Sequence, residues 1–172
     1  MAANRHTIMN EKRKVISEKQ AYSRMARLCS QKEYCSYDIS QKLYRLNLNA
    51  EDIERVVNRL IKENFINDER YTRSYIGDKI KFNKWGRIKI ELALRQKKIP
   101  SEIIQKIYEE MPEAETTNSL EYVLEKKWKT VKGASINERK NKLIRYALGR
   151  GFEMSDILSC LQKMDIDSID EV

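Results

Sequence analysis

The sequence predicts an all-α protein, an elongated tandem array of three three-helix repeats with helix-turn-helix character. Apolar residues recur at helical spacing along most of the 172 residues, and only five Gly and two Pro interrupt them. The same local pattern also returns about every 50 residues, which is typical of repeat architectures. A unit of roughly 45 residues buries little core by itself, so we expect neighbouring units to lean on one another with some hinge freedom.

Each predicted repeat has a first, a middle and a last helix with its own apolar stripe. The first helices carry Ala21, Met25 and Leu28, then Tyr71, Tyr75 and Ile80, then Leu120, Val123, Leu124 and Trp128. The middle helices carry the pairs Ile39 and Leu43, Ile88 and Leu92, and Leu143 and Ala147, followed by the apolar turn residues Leu48, Ile99 and Phe152. The last helices carry Asp52-Ile53, Glu102-Ile103 and Asp156-Ile157 in their first turns, where an acidic residue favours the positive helix end.

Helix starts and breaks divide the chain at matching places. Capping-box spacing occurs at Ser17 with Gln20, Asn118 with Glu121, and Ser135 with Glu138, while Ser36, Asn49, Pro100 and Ser155 suit other helix starts. Breaks are expected near 66 and from 112 to 117. The predicted repeats are 17–65, 66–115 and 116–164, between a basic N-terminus (1–16), predicted to be disordered, and an acidic tail (165–172).

The charge is strongly basic, with a net value of +8. The tail holds four acidic residues and no basic one, so the rest of the chain carries +12. This balance favours a polyanionic partner or an acidic protein surface. The composition indicates a cytoplasmic protein without a membrane span or secretory signal. Three cysteines without a CxxC pair and a single histidine, His6, indicate reduced thiols and no zinc site.

No catalytic constellation is visible, so the sequence predicts a protein that is not an enzyme and has no cofactor. Gly149-Arg150-Gly151 is the one glycine pair that could suggest a phosphate loop. It is better interpreted as a helix-ending turn before Phe152. Acidic residues such as Glu54 and Glu91 stand among basic ones at helical spacing, which is typical of solvated surface partners.

Basic residues on the middle helices form the candidate contact face. In the second repeat a stripe of cations surrounds Glu91, beside the expected core pair Ile88 and Leu92. Such a face could bind phosphates in a salt-dependent, largely sequence-independent way, or it could simply be solvated. The candidate residues are Lys84, Arg87, Arg95 and Lys98 in this repeat, Lys42 and Arg45 in the first, and Lys140, Lys142, Arg145 and Arg150 in the third. Tyr22, Tyr71, Tyr75 and Tyr146 share faces with apolar neighbours, so core packing is favoured over base stacking.

Three stretches together resemble the RecX family of bacterial recombination regulators. They are Phe65–Tyr71 (FINDERY), Gly86-Arg87 followed by Ile88, Glu91, Leu92 and Ile99, and Arg150-Gly151-Phe152 followed by Asp156-Ile157. The match extends from about residue 20 to 164 in order and spacing. It departs at Lys98, where the family has a glycine before the isoleucine, and at Asn67, where a second acidic residue is common.

The resemblance implies a curved array that lies in the helical groove of the RecA filament on DNA. Members of that family inhibit the ATPase, strand-exchange and coprotease activities of RecA. The leading hypothesis is therefore a monomeric modulator of that filament, with weak and largely sequence-independent DNA binding. The alternatives are a DNA-binding regulator that uses its helix-turn-helix units, and a helical scaffold for another protein.

Overall fold

The computed structural model describes residues 16–164, apart from the side chains of 113–116. That part of the chain forms only helices: α1 Glu18–Cys29, α2 Ser36–Tyr44, α3 Ala50–Lys62, α4 Asp68–Lys81, α5 Arg87–Gln96, α6 Ser101–Glu110, α7 Glu113–Trp128, α8 Ile136–Gly149 and α9 Met154–Lys163. The predicted all-α, elongated array of three-helix repeats is confirmed. The acidic tail and 1–15 of the predicted disordered N-terminus lie outside the described residues, whereas Ile16 packs against the first core.

Each set of three helices encloses its own apolar core. In the first set α3 packs against both α1 and α2, and in the second and third sets the three helices contact one another. Met25, Leu43 and Leu60 are central in the first core, and Leu124 and Leu143 in the third. The second core includes Cys35, a residue that comes from the start of α2. The first unit therefore contributes a side chain to the core of its neighbour.

The expected core pair of α5 is wrong. Ile88 and Leu92 are 53% and 58% exposed, whereas Ile90 and Leu94 are fully buried. The core pairs in the other two middle helices, Ile39 with Leu43 and Leu143 with Ala147, are confirmed. Two i, i+4 apolar pairs exist in α5, and packing against α4 and α6 selects the second of them.

The three middle helices end in the same backbone turn. Asn47, Lys98 and Gly151 adopt φ values of 60°, 58° and 88°, in the left-handed region. The next residue, which is the buried Leu48, Ile99 or Phe152, then donates its N–H to the carbonyl five residues earlier, at 3.5, 3.2 and 3.3 Å. This is the Schellman arrangement, which favours glycine at the left-handed position. A lysine in place of glycine at position 98 therefore carries a conformational cost.

Several predicted helix starts are confirmed and three are wrong. Ser17 and Gln20 form the full capping box, and Asn49 and Ser135 accept backbone N–H bonds at their helix starts. Asn118 lies inside α7, which already begins after Pro112, so the expected break from 112 to 117 shrinks to that proline. Ser36 and Ser155 likewise lie inside α2 and α9, whose N-caps are Cys35 and Glu153. In α7, Pro112 therefore marks the start of the helix, ahead of the capping-box spacing at Asn118.

The first junction joins the start of α2 to the second unit through polar contacts. The Lys97 ammonium donates to both carboxylate oxygens of Asp38, at 2.8 and 2.7 Å, and these side chains are only 27% and 25% exposed. Ser36 donates its backbone N–H and its hydroxyl to the Asp68 carboxylate, at 2.8 and 2.7 Å. Burial lowers the pKa of Lys97, but the hydrogen bond and charge of Asp38, together with Tyr71, outweigh it, so this pKa is raised.

The second junction is a direct contact of two backbones. The Gly86 N–H donates to the Arg150 carbonyl at 2.8 Å, and the Ile88 N–H donates to the Gly151 carbonyl at 3.1 Å. A Cβ atom on Gly86 would overlap the carbonyl group of Gly151, and one on Gly151 would overlap Lys89. In both junctions, the start of one middle helix meets the end of the next middle helix.

Gly86→Ala should lower the free energy of unfolding by about 1–3 kcal/mol, because the added methyl group forces the two backbones apart. The φ of Gly86 is −80°, so the cost arises from the close approach and not from backbone strain. Gly77→Ala is the matched control. Gly77 lies within α4, and apart from its own helix backbone and chain neighbours no atom lies within 4 Å of the new Cβ. The substitution should therefore stabilise the protein by about 0.5–1 kcal/mol. Chemical denaturation that gave both variants the same sign would contradict this prediction.

Lys98→Gly should raise the free energy of unfolding by about 1 kcal/mol, because glycine adopts the left-handed conformation without the Cβ penalty. Arg95→Gly, three residues earlier within α5, should instead lower it by about 1 kcal/mol. Urea titrations of the two variants test the pair. A destabilised Lys98→Gly variant would show that the side chain contributes more than the turn conformation costs.

Asp38→Asn should destabilise the chain by about 1–2 kcal/mol, since it leaves the mostly buried Lys97 ammonium without its counter-charge. The raised pKa of Lys97 means that this stabilisation is complete below the ordinary lysine pKa and is lost as pH rises above it. The Asp38→Asn variant should therefore lose the same free energy of unfolding at neutral and at mildly alkaline pH. Glu18→Gln, which breaks the exposed pair with Arg55, should have no measurable effect. Equal losses for the two variants would contradict the role of the junction.

Candidate interaction surface

The outward face of α5 combines an aliphatic pair with cations. Ile88 and Leu92 lie one turn apart and are more than half exposed, beside Arg95 and Gln96, which are also exposed. The sequence reasoning missed this face because it assigned the pair to the core. Spacing could have found it: Ile39 and Leu143 each precede their buried turn residue by nine positions, as Ile90 does and Ile88 does not.

Glu91 pairs with two of the predicted cations on this helix. It accepts from Arg87 Nε at 2.6 Å and from Arg95 Nη2 at 3.3 Å. The guanidinium group of Arg87 also lies 4.6 Å from the ring centroid of Tyr108, and the hydrogen bond that Arg87 donates to Glu91 raises the pKa of Arg87. The triad therefore presents one net positive charge, held in fixed geometry, in place of two free cations.

The other two predicted cations of the second repeat lie outside α5. Lys98 is exposed at the left-handed position after the helix. Lys84 precedes the helix, has a φ of 53°, and places its ammonium 5.0 Å from the ring centroid of Tyr122 on α7. Of the four predicted cations, Arg87 and Arg95 therefore lie on α5, while Lys98 follows the helix. Lys84 precedes the helix and contacts α7 through Tyr122.

The predicted cations of the first repeat are both at the end of α2. Lys42 is half-buried and its ammonium lies 5.2 Å from the Tyr34 ring centroid. Arg45 is exposed and lines a shallow cavity together with Tyr44 and Leu48. Neither residue lies on a face that resembles the aliphatic and cationic face of α5.

In the third repeat most of the predicted cations have local structural contacts. Lys142 pairs with Glu138 at 2.6 Å and donates to the Lys132 carbonyl at 2.9 Å. Arg150 donates to the Asn83 carbonyl at 2.7 Å, so it stabilises the second junction. Arg145 is exposed and donates to a carbonyl of its own helix, and Lys140 is half-buried. The basic face is thus not repeated in equivalent form.

The predicted core aromatics are packed to different degrees. Tyr71 and Trp128 are buried, whereas Tyr22, Tyr75, Tyr146 and Trp85 are half-buried. Burial raises the pKa of Tyr71 to about 12 and that of the Cys35 thiol to about 11. Both groups are therefore protonated and uncharged at neutral pH.

Among residues 16–164, no three His, Cys, Asp or Glu side chains lie close enough together to hold a metal ion. None of the helices described here has the length and apolar character needed to cross a membrane.

Comparison with family models and named relatives gives one consistent family. Residues 67–106 match the second three-helix domain of RecX and residues 113–161 match the third, together more than half of the chain. "Regulatory protein RecX" of Clostridium acetobutylicum is 33% identical over 132 residues, covering 74% of this chain and 60% of the relative. The Streptococcus gordonii protein of the same name is 28% identical, covering 81% of this chain and 54% of the relative. The chain thus spans little more than half the length of these relatives.

Solved structures agree on the fold. The crystal structure of RecX from Lactobacillus salivarius superposes with a TM-score of 0.78 at 22% identity, covering 87% of this chain and 97% of the other. A second crystal structure of regulatory protein RecX also gives a TM-score of 0.78, at 23% identity, covering 84% and 73%. With the family models matching the second and third repeats, the chain belongs to the RecX family of regulatory proteins.

Proposed function

We propose that this chain is a non-enzymatic regulator that binds the RecA filament on DNA and inhibits its ATPase, strand-exchange and coprotease activities. Membership of the RecX family supports a regulatory role. The observation that carries the proposal is the exposed face of α5, where Ile88 and Leu92 adjoin Arg95. Exposed aliphatic pairs are typical of protein interfaces, whereas phosphate tracking uses cations alone.

The charges on this face suit a protein partner. Glu91 neutralises one of its two arginine neighbours, so fewer cations remain for phosphates. Arginine held by a carboxylate beside apolar surface is suited to an interface core, where arginine is enriched. The two junctions support the array as a unit that can contact successive subunits of a repeating partner. We further propose that the chain acts in the cytoplasm as a monomer.

The double variant Ile88→Ser, Leu92→Ser should raise the concentration needed for half-inhibition of RecA ATPase on single-stranded DNA by about ten-fold or more. Loss of two aliphatic contacts removes more than the roughly 1.4 kcal/mol that a ten-fold change in affinity represents. Both side chains are exposed, so thermal stability should change little.

The matched control is Ile61→Ser with Leu158→Ser, each 46% exposed but on α3 and α9. It should inhibit like the unmodified chain. Unchanged inhibition by the Ile88→Ser, Leu92→Ser variant would move the contact away from α5, and equal loss in the control variant would show that the effect is not specific to α5. An unmodified chain without effect on ATPase or filament length would end the proposal. Preferential binding of one duplex sequence would favour the DNA-binding alternative.

A further inference from the structure

A groove between α4 and α7 lies apart from the aliphatic face of α5. It has a volume of about 600 Å³, and its lining includes Gly77, Ile80 and Ser119. Ser119 and Ile80 are buried, and the Ser119 hydroxyl donates to the Ile80 carbonyl at 3.4 Å, which holds the two helices together at the base. Apart from the backbone of α4 itself and the chain neighbours of Gly77, no atom lies within 4 Å of where a Cβ of Gly77 would stand, so the groove is open along this wall.

One exposed aromatic ring, that of Tyr122, lines this groove, and a second, that of Phe82, directly follows the lining residue Lys81 in the chain. Lysine ammonium groups lie close to both rings. Tyr122, on the α7 wall, is 48% exposed, with Lys84 Nζ at 5.0 Å and Lys126 Nζ at 5.7 Å from its ring centroid. Phe82, at the end of α4, is 70% exposed, with Lys81 Nζ at 5.3 Å. Exposed rings with adjacent cations occur at sites that stack bases and bind phosphates.

The local charge is predominantly positive. Within the described residues, Lys81, Lys84 and Lys126 contact aromatic rings and form no ion pair. Arg73 also lines the groove but is paired with Glu110, and Asp78 is the acidic residue in the lining. Three ammonium groups therefore outweigh one carboxylate in the neighbourhood of the two rings.

The backbone conformation of Lys84 also supports a role for its side chain. Its φ of 53° is unfavourable for any residue with a Cβ, and glycine would adopt it without penalty. A lysine at this position nevertheless places its ammonium over Tyr122. The left-handed turn thus places a cation beside the ring that lines the groove.

We propose that this groove binds a single-stranded polynucleotide, with bases stacked on Phe82 and Tyr122 and phosphates bound by Lys81, Lys84 and Lys126. Stacking on a side-chain ring requires the face of a base, which a duplex keeps covered by the neighbouring base pairs. The site therefore selects single strands over duplexes and has little sequence preference. It is independent of the filament contact proposed for α5, because it requires no protein partner.

The test is fluorescence anisotropy of the full chain with labelled oligothymidylate, oligouridylate and a random duplex, in the absence of RecA. The double variant Phe82→Leu, Tyr122→Leu should bind oligothymidylate about ten-fold or more weakly, since loss of each stacked base costs about five-fold or more. Tyr122→Phe keeps the ring and should bind within about two-fold of the unmodified chain. Tyr44→Leu removes an aromatic ring that is 69% exposed on α2 and is the matched control, with no expected change.

Lys84→Gly separates binding from folding. It should leave the chain at least as stable, because the left-handed backbone is relieved, yet it should weaken binding. It should also reduce the slope of log K against log salt by about 0.7, the value for one phosphate contact on a single strand. A purely structural role for Lys84 would not change this slope.

Several outcomes would overturn the proposal. They are undetectable binding of both single-stranded oligonucleotides at low salt, duplex binding as tight as single-strand binding, or unchanged affinity in the double variant. Equal binding of the two oligonucleotides supports the site as a general single-strand site, and a preference for one identifies its natural ligand. If the double variant lost inhibition of RecA while keeping its DNA affinity, the groove would be a protein contact and this proposal would be wrong. If only the α5 proposal is wrong, the expected affinities for the oligonucleotides stay the same.

Discussion

Contact between the start of one middle helix and the end of the next is the constraint on which this array depends. Each three-helix unit has its own small core, and small units gain stability from their neighbours. At the first junction the contact is made by the mostly buried Asp38–Lys97 pair, and at the second by backbone hydrogen bonds between Gly86, Ile88 and the turn at Gly151. The positions are equivalent but the chemistry differs. Ionic strength should therefore weaken the first junction more than the second.

The repeated backbone turn explains why these junctions recur. Asn47, Lys98 and Gly151 all adopt the left-handed conformation that ends a middle helix and aims the chain toward the next buried residue. At Gly151 the same conformation also brings the carbonyl within reach of α5. One turn thus sets both the internal packing of a unit and its contact with the preceding unit.

Much of this fold could be predicted from the residues alone. Apolar spacing identified the helices and most buried residues because burial of one stripe is a local property of the sequence. It failed in α5, where Ile88 with Leu92 and Ile90 with Leu94 satisfy the same spacing and only the neighbouring helices distinguish them. Asn118 failed for a related reason, since its capping geometry is available in isolation but Pro112 starts the helix earlier.

The surfaces were less predictable than the core. The sequence identified Arg87, Arg95 and Arg150 as cations but could not show that Glu91 holds the first two and that the third stabilises a junction. The exposure of Phe82 and Tyr122 likewise depends on how α4 meets α7, a contact between residues far apart in the chain. A charge pattern predicts which residues are available for binding, and tertiary contacts decide which of them remain so.

The junctions also give the molecule a direction. At both junctions the start of one middle helix meets the end of the next middle helix. The described part of the array therefore has two dissimilar ends and no internal two-fold symmetry. A DNA strand has a direction as well, with chemically distinct 5′ and 3′ ends. A directional array that binds along a directional strand makes its contacts in one orientation and loses them in the other. If the chain follows a polymer in the way proposed above, it would act differently toward the two ends of that polymer.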